Sequence, residues 1–138
     1  MMSIICAQET GLTAEEYIAC VGQSALGPTR PLGNTERVQA YLDSSNLVVT
    51  ARDDSGRLVG LFRAMTDWNW VCYCADIAVV EANQGQGIGA RLMDKAAEIL
   101  GPGVSIILLA LPGAEGFYQK IGLTQTSAAF YRDRTHRT

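Results

Sequence analysis

The stretch DIAVVEANQGQGIGARLM, residues 76–93, decides the fold. An apolar run ends at Val80, glycines follow at 85, 87 and 89, and apolar residues then recur at Ile88, Leu92, Met93, Ala96, Ile99 and Leu100. That spacing is a helical stripe, so a strand gives way to a helix through a glycine loop. A helix N-terminus exposes unpaired amides and carries about half a positive charge. Glycines let a phosphate approach the backbone and allow successive amides to curl into an anion nest. Gly85, Gly87 and Gly89 are read as that cradle, with tight turning as the plainer alternative. Gln84 and Gln86 are neutral, so the backbone supplies most of the binding.

Outward from the loop, WVCYCADIAVV (70–80) reads as the preceding strand and VSIILLAL (104–111) as the following one. The second is nearly continuous apolar, as in a strand covered on both faces. Together they make a parallel strand–helix–strand crossover. Upstream, a short strand covers Ser3 to Ala7. Thr13 and Glu16 form a capping box for a helix from Ala14 to about Leu26. A Pro- and Gly-rich loop, 27–34, leads to a helix capped by Asn34 or Thr35 and ending near Ser44. LVVTA (47–51) and RLVGLFRAMTD (57–67) are strands joined by a turn at DDSG (53–56). Downstream, a short helix runs from Ala114 to Ile121. Two short strands are expected near Leu123–Thr126 and Ala129–Arg132, followed by a frayed tail. The chain is read as one domain over residues 1–138, with a mixed α/β sheet.

With 48% hydrophobic and 18% charged residues, the composition is that of an ordinary globular domain. The net charge of -3 argues against nucleic acid as a partner, because phosphate binding needs a basic surface. No apolar run approaches the roughly 18 residues of a membrane helix, and the N-terminus lacks the pattern of a signal peptide. Cys72-x-Cys74 is too narrow for the usual zinc spacing, and the one histidine, His136, lies in the tail, so no metal is expected. Four cysteines without such a pattern fit free thiols in a reducing cytoplasm.

Two phosphate-binding motifs fail. A P-loop requires Lys-Ser or Lys-Thr after its last glycine, where Ala90-Arg91 stands. Gly85-x-Gly87-x-x-Ala90 matches the relaxed dinucleotide fingerprint. The acidic residue expected about 20 positions on is missing from Ala110-Leu111-Pro112, and the loop follows three strands rather than one.

Gln84-Gly-Gln-Gly-Ile-Gly89 resembles the Gln/Arg-x-x-Gly-x-Gly/Ala signature of the GNAT superfamily of acyl-CoA-dependent N-acetyltransferases. GFYQKIGL (116–123) resembles that family's Phe-Tyr-x-Lys-x-Gly-Phe segment, with Leu123 in place of the last phenylalanine. One strand separates the two motifs, as in the family, and the resemblance covers about Leu47 to Phe130. It implies a mostly antiparallel sheet with a central parallel crossover, helices on both faces, and fourth and fifth strands that splay apart. It implies acetyl-CoA as donor, with the pyrophosphate on the amides of Gly85, Gln86, Gly87, Ile88, Gly89 and Ala90 beside Gln84. The pantetheine arm would lie along Ile77, Ala78 and Val79. Small proteins of the family are often homodimers.

Acetyl transfer to an amine makes three demands. A lysine-like amine has a pKa near 10.4, so only about one in a few thousand is neutral at pH 7 and a base helps. The developing oxyanion needs a donor, worth roughly 3 kcal/mol, and the family analogy gives that role to the Val79 amide. The departing thiolate needs a proton, and Tyr118 occupies the family's general-acid position; without the pattern it reads as a packed aromatic. The glutamate that some relatives carry before the Ile-Ala-Val position is replaced here by Cys72-Tyr-Cys-Ala75. Asp76 is then the nearest acid. On strict alternation it faces away from Ile77 and Val79, unless a bulge re-aims it, and a structural role competes. A water chain is another base, and Glu81 reads as solvated. On the acceptor side, Trp68 and Trp70 are read as a wall for an apolar amine or as turn packing. Arg30 is read as a clamp for an acceptor carboxylate or as a solvated loop residue. An acetyltransferase is the leading reading; a non-catalytic acyl-CoA-binding module is the alternative.

Overall fold

In the computed structural model, which describes residues 3–138, the chain follows the hydrophobic pattern up to the last strand. Strands β1 (Ile5–Gln8), β2 (Leu47–Arg52), β3 (Leu58–Thr66) and β4 (Val71–Val79) form an antiparallel array, and β5 (Ser105–Leu108) joins β4 in parallel. Helix α3 (Ile88–Leu100) makes the crossover between β4 and β5. Its buried stripe, Ile88, Leu92, Met93 and Ala96, packs with Leu47, Val49 and Phe62 on one face of the sheet. Helices α1 (Ala14–Val21) and α2 (Thr35–Asp43) cover the other face, where Tyr17, Val21, Val38 and Leu42 meet Val48, Leu61 and Val80. Full burial of each large side chain contributes roughly 1.5–3 kcal/mol, and both layers hold several.

The front end departs from expectation in two details. Thr13 accepts the Glu16 amide at 3.2 Å, but the Glu16 carboxylate takes Arg52 at 2.7 Å instead of turning back. The capping box is therefore half formed, because an ion pair outcompetes a neutral amide for the carboxylate. Helix α1 stops at Val21, short of Leu26: the Ser24 hydroxyl donates to the Val21 carbonyl at 2.7 Å and accepts from the Leu26 amide, drawing the backbone into turns. At α2, Asn34 is the cap, accepting the Arg37 amide at 3.0 Å.

The register of β3 against β4 slips once: Arg63 faces Asp76, while Ala64 faces Cys74. Ala75 is therefore an extra residue, a bulge that reverses the side-chain alternation. Cys72 and Cys74 point into the α3-side core, and beyond the bulge so do Ile77 and Val79. Asp76 and Ala78 turn to the opposite side, under α1 and α2.

The C-terminal part corrects three expectations. Residues 105–108 are not covered on both faces: β5 is the sheet edge, and Ile107 and Leu109 remain about half exposed, at 51% and 49%. The two short strands after residue 122 do not form. Each expected strand is only four residues long, with Leu123 the one apolar residue of the first, and Ser127-Ala128 between them is all that joins the two, too little to hold a register. The tail is also not frayed away from the fold: Arg37 on α2 donates to the carbonyls of Thr138 and His136 at 2.7 and 3.2 Å. Among the described residues no helix is long and apolar enough to cross a membrane.

Candidate active site

The parallel pairing of β4 with β5 lasts four residues, from Val71↔Ser105 to Cys74↔Leu108, and then stops, although β4 continues to Val79. A cavity of about 1170 Å³ opens at that fork. It exceeds the roughly 300–1,000 Å³ of a site for one small ligand. Its walls include Ile77 and Val79 of β4, Leu108 to Leu111 beyond β5, the glycine loop, and Tyr118 of helix α4 (Glu115–Lys120).

The open edge of β4 follows from hydrogen-bond alternation. The Val80 amide donates to the Val59 carbonyl at 2.8 Å, so Val80 is bonded to β3. Antiparallel pairs alternate, so Ala78 also spends its backbone on β3, while Ile77 and Val79 turn theirs toward the gap. Gln84 Nε2 donates to the Val79 carbonyl at 3.0 Å, consistent with that direction. The Val79 amide is left facing the cavity.

At one mouth the loop before α3 presents its backbone. Gly85 and Gly87 sit at φ of 80° and 77°, a left-handed region that favours glycine, and a Cβ on either would meet nothing within 4 Å. Among the described residues the amides from Gly85 to Ala90 donate to no carbonyl; Arg91 is the first to do so, to Gly87 at 3.1 Å. This row of free donors at a helix start fits a diphosphate. Gly89 has a different purpose: a Cβ there would lie 2.7 Å from Phe117 Cζ, so its absence lets α4 close on α3. The Ile88 side chain is buried in the core and the Gln86 side chain is not part of the wall, so both can contribute only their amides.

Helix α4 ends in a double closure, Leu123 N–H to Tyr118 O at 3.0 Å and Gly122 N–H to Gln119 O at 3.1 Å, which fixes the turn carrying Tyr118. Burial, reinforced by nearby Cys74 and only partly opposed by Arg30, pushes the Tyr118 phenol up to about 12. It is a proton donor throughout the physiological range.

Asp76 is buried and already engaged. Oδ1 accepts from Arg30 Nε at 2.7 Å; Oδ2 accepts from Arg63 Nε and from the Tyr17 hydroxyl, both at 2.6 Å. Burial alone would raise its pKa, yet Arg63, Arg30 and Tyr17 together hold it below the usual carboxylate range. A carboxylate so held is a poor proton acceptor, and plain alternation past the bulge turns it away from Ile77 and Val79. The expectation of Asp76 as base is corrected on that ground. Arg30 is likewise not a solvated loop residue: it binds Asp76 and the Ala75 carbonyl, at 2.9 Å, while its edge lines the cavity.

Trp68 and Trp70 do not line the cavity. They sit at the β3–β4 hairpin tip, where Asp67 Oδ1 accepts the amides of Asn69, Trp70 and Val71, and both are exposed. From Trp70 to the fork at Ala75 is about 16 Å along the strand, too far for a side chain to reach. Residues the sequence did not single out also line the cavity: Tyr41, Arg37, Arg63, Tyr73, and from the tail Tyr131, Arg134 and Arg137. Of these, only Arg63 left a signal, as a lone charge inside an apolar strand.

The comparisons with known proteins agree with this geometry. Residues 43–125 match the acetyltransferase (GNAT) domain family. Over 114 residues, 75% of this chain, the sequence is 33% identical to serotonin N-acetyltransferase 2, chloroplastic, of Oryza sativa subsp. japonica; the chain spans 57% of that relative's length. A GNAT-family acetyltransferase of Streptococcus pneumoniae superposes with a TM-score of 0.76 at 22% identity, covering 96% of this chain and 99% of that one. An aminoglycoside N-acetyltransferase in complex with CoA gives 0.74 at 17% identity, covering 97% of each. At those identities the structural likeness speaks to the fold. The matched domain spans more than half of the sequence, and with the forked sheet and the glycine loop it identifies the chain as a member of the GNAT acetyltransferase family.

Proposed function

We propose that the chain is an N-acetyltransferase that moves acetyl from acetyl-CoA to a primary amine by direct transfer in a ternary complex. The observation that carries this reading is the fork between β4 and β5, with free helix-start amides at its mouth and a protonated phenol on its wall. The cavity volume leaves room for two ligands side by side. The two relatives whose names specify an amine, serotonin and aminoglycoside N-acetyltransferases, support the acceptor class.

In this reading the amides of Gly85 to Ala90 hold the pyrophosphate, and the backbone of Ile77 and Val79 pairs with the pantetheine arm as an added strand would. The Val79 amide donates to the oxyanion as the amine nitrogen attacks the thioester carbonyl. When the carbon–sulfur bond breaks, Tyr118 gives its proton to the sulfur. The proton shed by the new amide nitrogen returns to Tyr118 through water, so the enzyme ends as it began. Asp76 acts by position, holding Arg30 and Arg63 against the wall. With four free thiols, a reducing compartment such as the cytoplasm suits the chain.

The competing reading, a module that binds acyl-CoA without turnover, draws on one feature: among the described residues no Asp, Glu or His lines the cavity. A thiol-release assay with acetyl-CoA and an amine panel separates the two. Turnover above the hydrolytic background is expected; CoA-dependent stabilisation, about 2.7 kcal/mol at a hundred times Kd, without release of thiol would leave the binding module.

A further inference from the structure

The charge of the acceptor wall carries an inference that deepens the acetyl-transfer reading and rests on it. Arg30, Arg37, Arg63, Arg134 and Arg137 all line the cavity, and no Asp or Glu lines it among the described residues. The side-chain carboxylates in contact with these arginines are two: Asp76, shared by Arg30 and Arg63, and Asp133, shared by Arg134 and Arg137. Arg37 donates to the His136 carbonyl and to an oxygen of Thr138, the last residue of the sequence. The guanidiniums outnumber these side-chain carboxylates; Arg30 and Arg63 are largely buried, where fields act strongly, and Arg134 and Arg137 are about half exposed. The Tyr41 ring lies against Arg63, 4.3 Å from its guanidinium carbon. Leu26, Pro31, Met65, Tyr73 and Tyr131 add apolar and aromatic surface to the cavity, with Ser24, Thr29 and Lys120 also on its lining.

We infer that the amine acceptor also carries a carboxylate, on an apolar or aromatic body: an amino acid of that class rather than a simple amine or a polycation. The carboxylate is met by the arginines of this wall, in the planar geometry that guanidinium favours. The same positive field disfavours the ammonium form of the amine, so more of the bound acceptor is neutral and ready to attack. That supplies part of what a base would supply, in a pocket that has none. A polyamine or an aminoglycoside would bring several positive charges to a wall that is already positive.

The test is a set of matched pairs assayed by thiol release with acetyl-CoA: phenylalanine against phenethylamine, tryptophan against tryptamine, and methionine against 3-(methylthio)propylamine. The acid member is expected to have at least tenfold higher kcat/KM in the pairs that react. The same pairs titrated onto the CoA complex should show the same order in thermal shift. In the double variant Arg37→Gln/Arg134→Gln the preference should fall toward unity while CoA binds as before. Equal or better use of the decarboxylated amines would overturn the inference and leave the acetyl-transfer reading intact. Preferential binding of the simple amines to the CoA complex would overturn it as well. Failure to bind CoA would instead overturn the reading beneath it.

Discussion

In the proposed reaction the side chain with most to do is Tyr118. Its phenol is held protonated by burial up to about 12, so an acid-catalysed departure of thiolate needs no further activation. Replacing it with phenylalanine removes the proton and little packing. We expect Tyr118→Phe to lower kcat about a hundredfold while leaving the Kd for CoA within twofold, measured by steady-state kinetics and calorimetry. The pH profile follows from the same value. The rate should climb from pH 6 to 9 as the amine loses its proton, with no descending limb in that range, because Tyr118 stays neutral below about 12. A fall above pH 8 would assign the proton to another group. Asp76 behaves differently, since it touches only protein. Its folded pKa lies below the unfolded value near 3.9, so its contribution to stability is complete above that value and fades as the pH falls further. Asp76→Asn leaves two buried guanidiniums without a counter-charge and should cost about 3–5 kcal/mol, read as a fall in Tm on the order of 10–20 °C at pH 7. The gap between variant and wild type should narrow on acidification toward pH 3.

At the scale of elements, the loop and helix start at 84–90 divide their labour in a way the residue string hides. Gly85 and Gly87 curve the backbone; Gly89 clears a path for Phe117. Gly87→Glu combines a strained left-handed backbone with a negative charge at the diphosphate site, and a loss of CoA affinity of at least a hundredfold is expected by calorimetry, with secondary structure unchanged by circular dichroism. Gly89→Ala pushes Phe117 and shifts the turn that carries Tyr118, so it should lower kcat about tenfold or more with a smaller effect on CoA affinity. The helix stripe, the glycine loop and the β3–β4 hairpin could be read from periodicity and turn residues. The bulge at Ala75 could not, because the alternation on each side of it is regular and only the pairing reveals the slip. That slip decided the fate of Asp76. The signal for its partner was present: Arg63 in an apolar strand and Asp76 in the next lie nearly equidistant from the hairpin tip, and two lone opposite charges in such positions meet across the sheet.

Across the whole molecule, the order of elements and the parallel crossover followed from the hydrophobic pattern, and the helices on both faces from the family resemblance. The far wall of the cavity followed from neither. It is assembled from the loop before α2, the helix α2 itself, the middle of the sheet and the last eight residues, pieces far apart in sequence that carry no motif. The tail misled for a related reason: its short apolar runs look like strands, but they have no neighbour with a matching register, and the chain instead crosses to Arg37. Conversely, the exposed tryptophans drew the eye because large aromatics mark sites, while the Asp67 turn holds them at the far end of the hairpin. The central claim is that the fork in the sheet is a thioester channel running from the glycine loop to Tyr118. A crystal structure of the chain with CoA tests it most directly. The account predicts the pyrophosphate on the amides of residues 85–90, the pantetheine arm beside Ile77 and Val79, and the sulfur within reach of the Tyr118 hydroxyl. CoA bound anywhere else, with those amides unused, would contradict it.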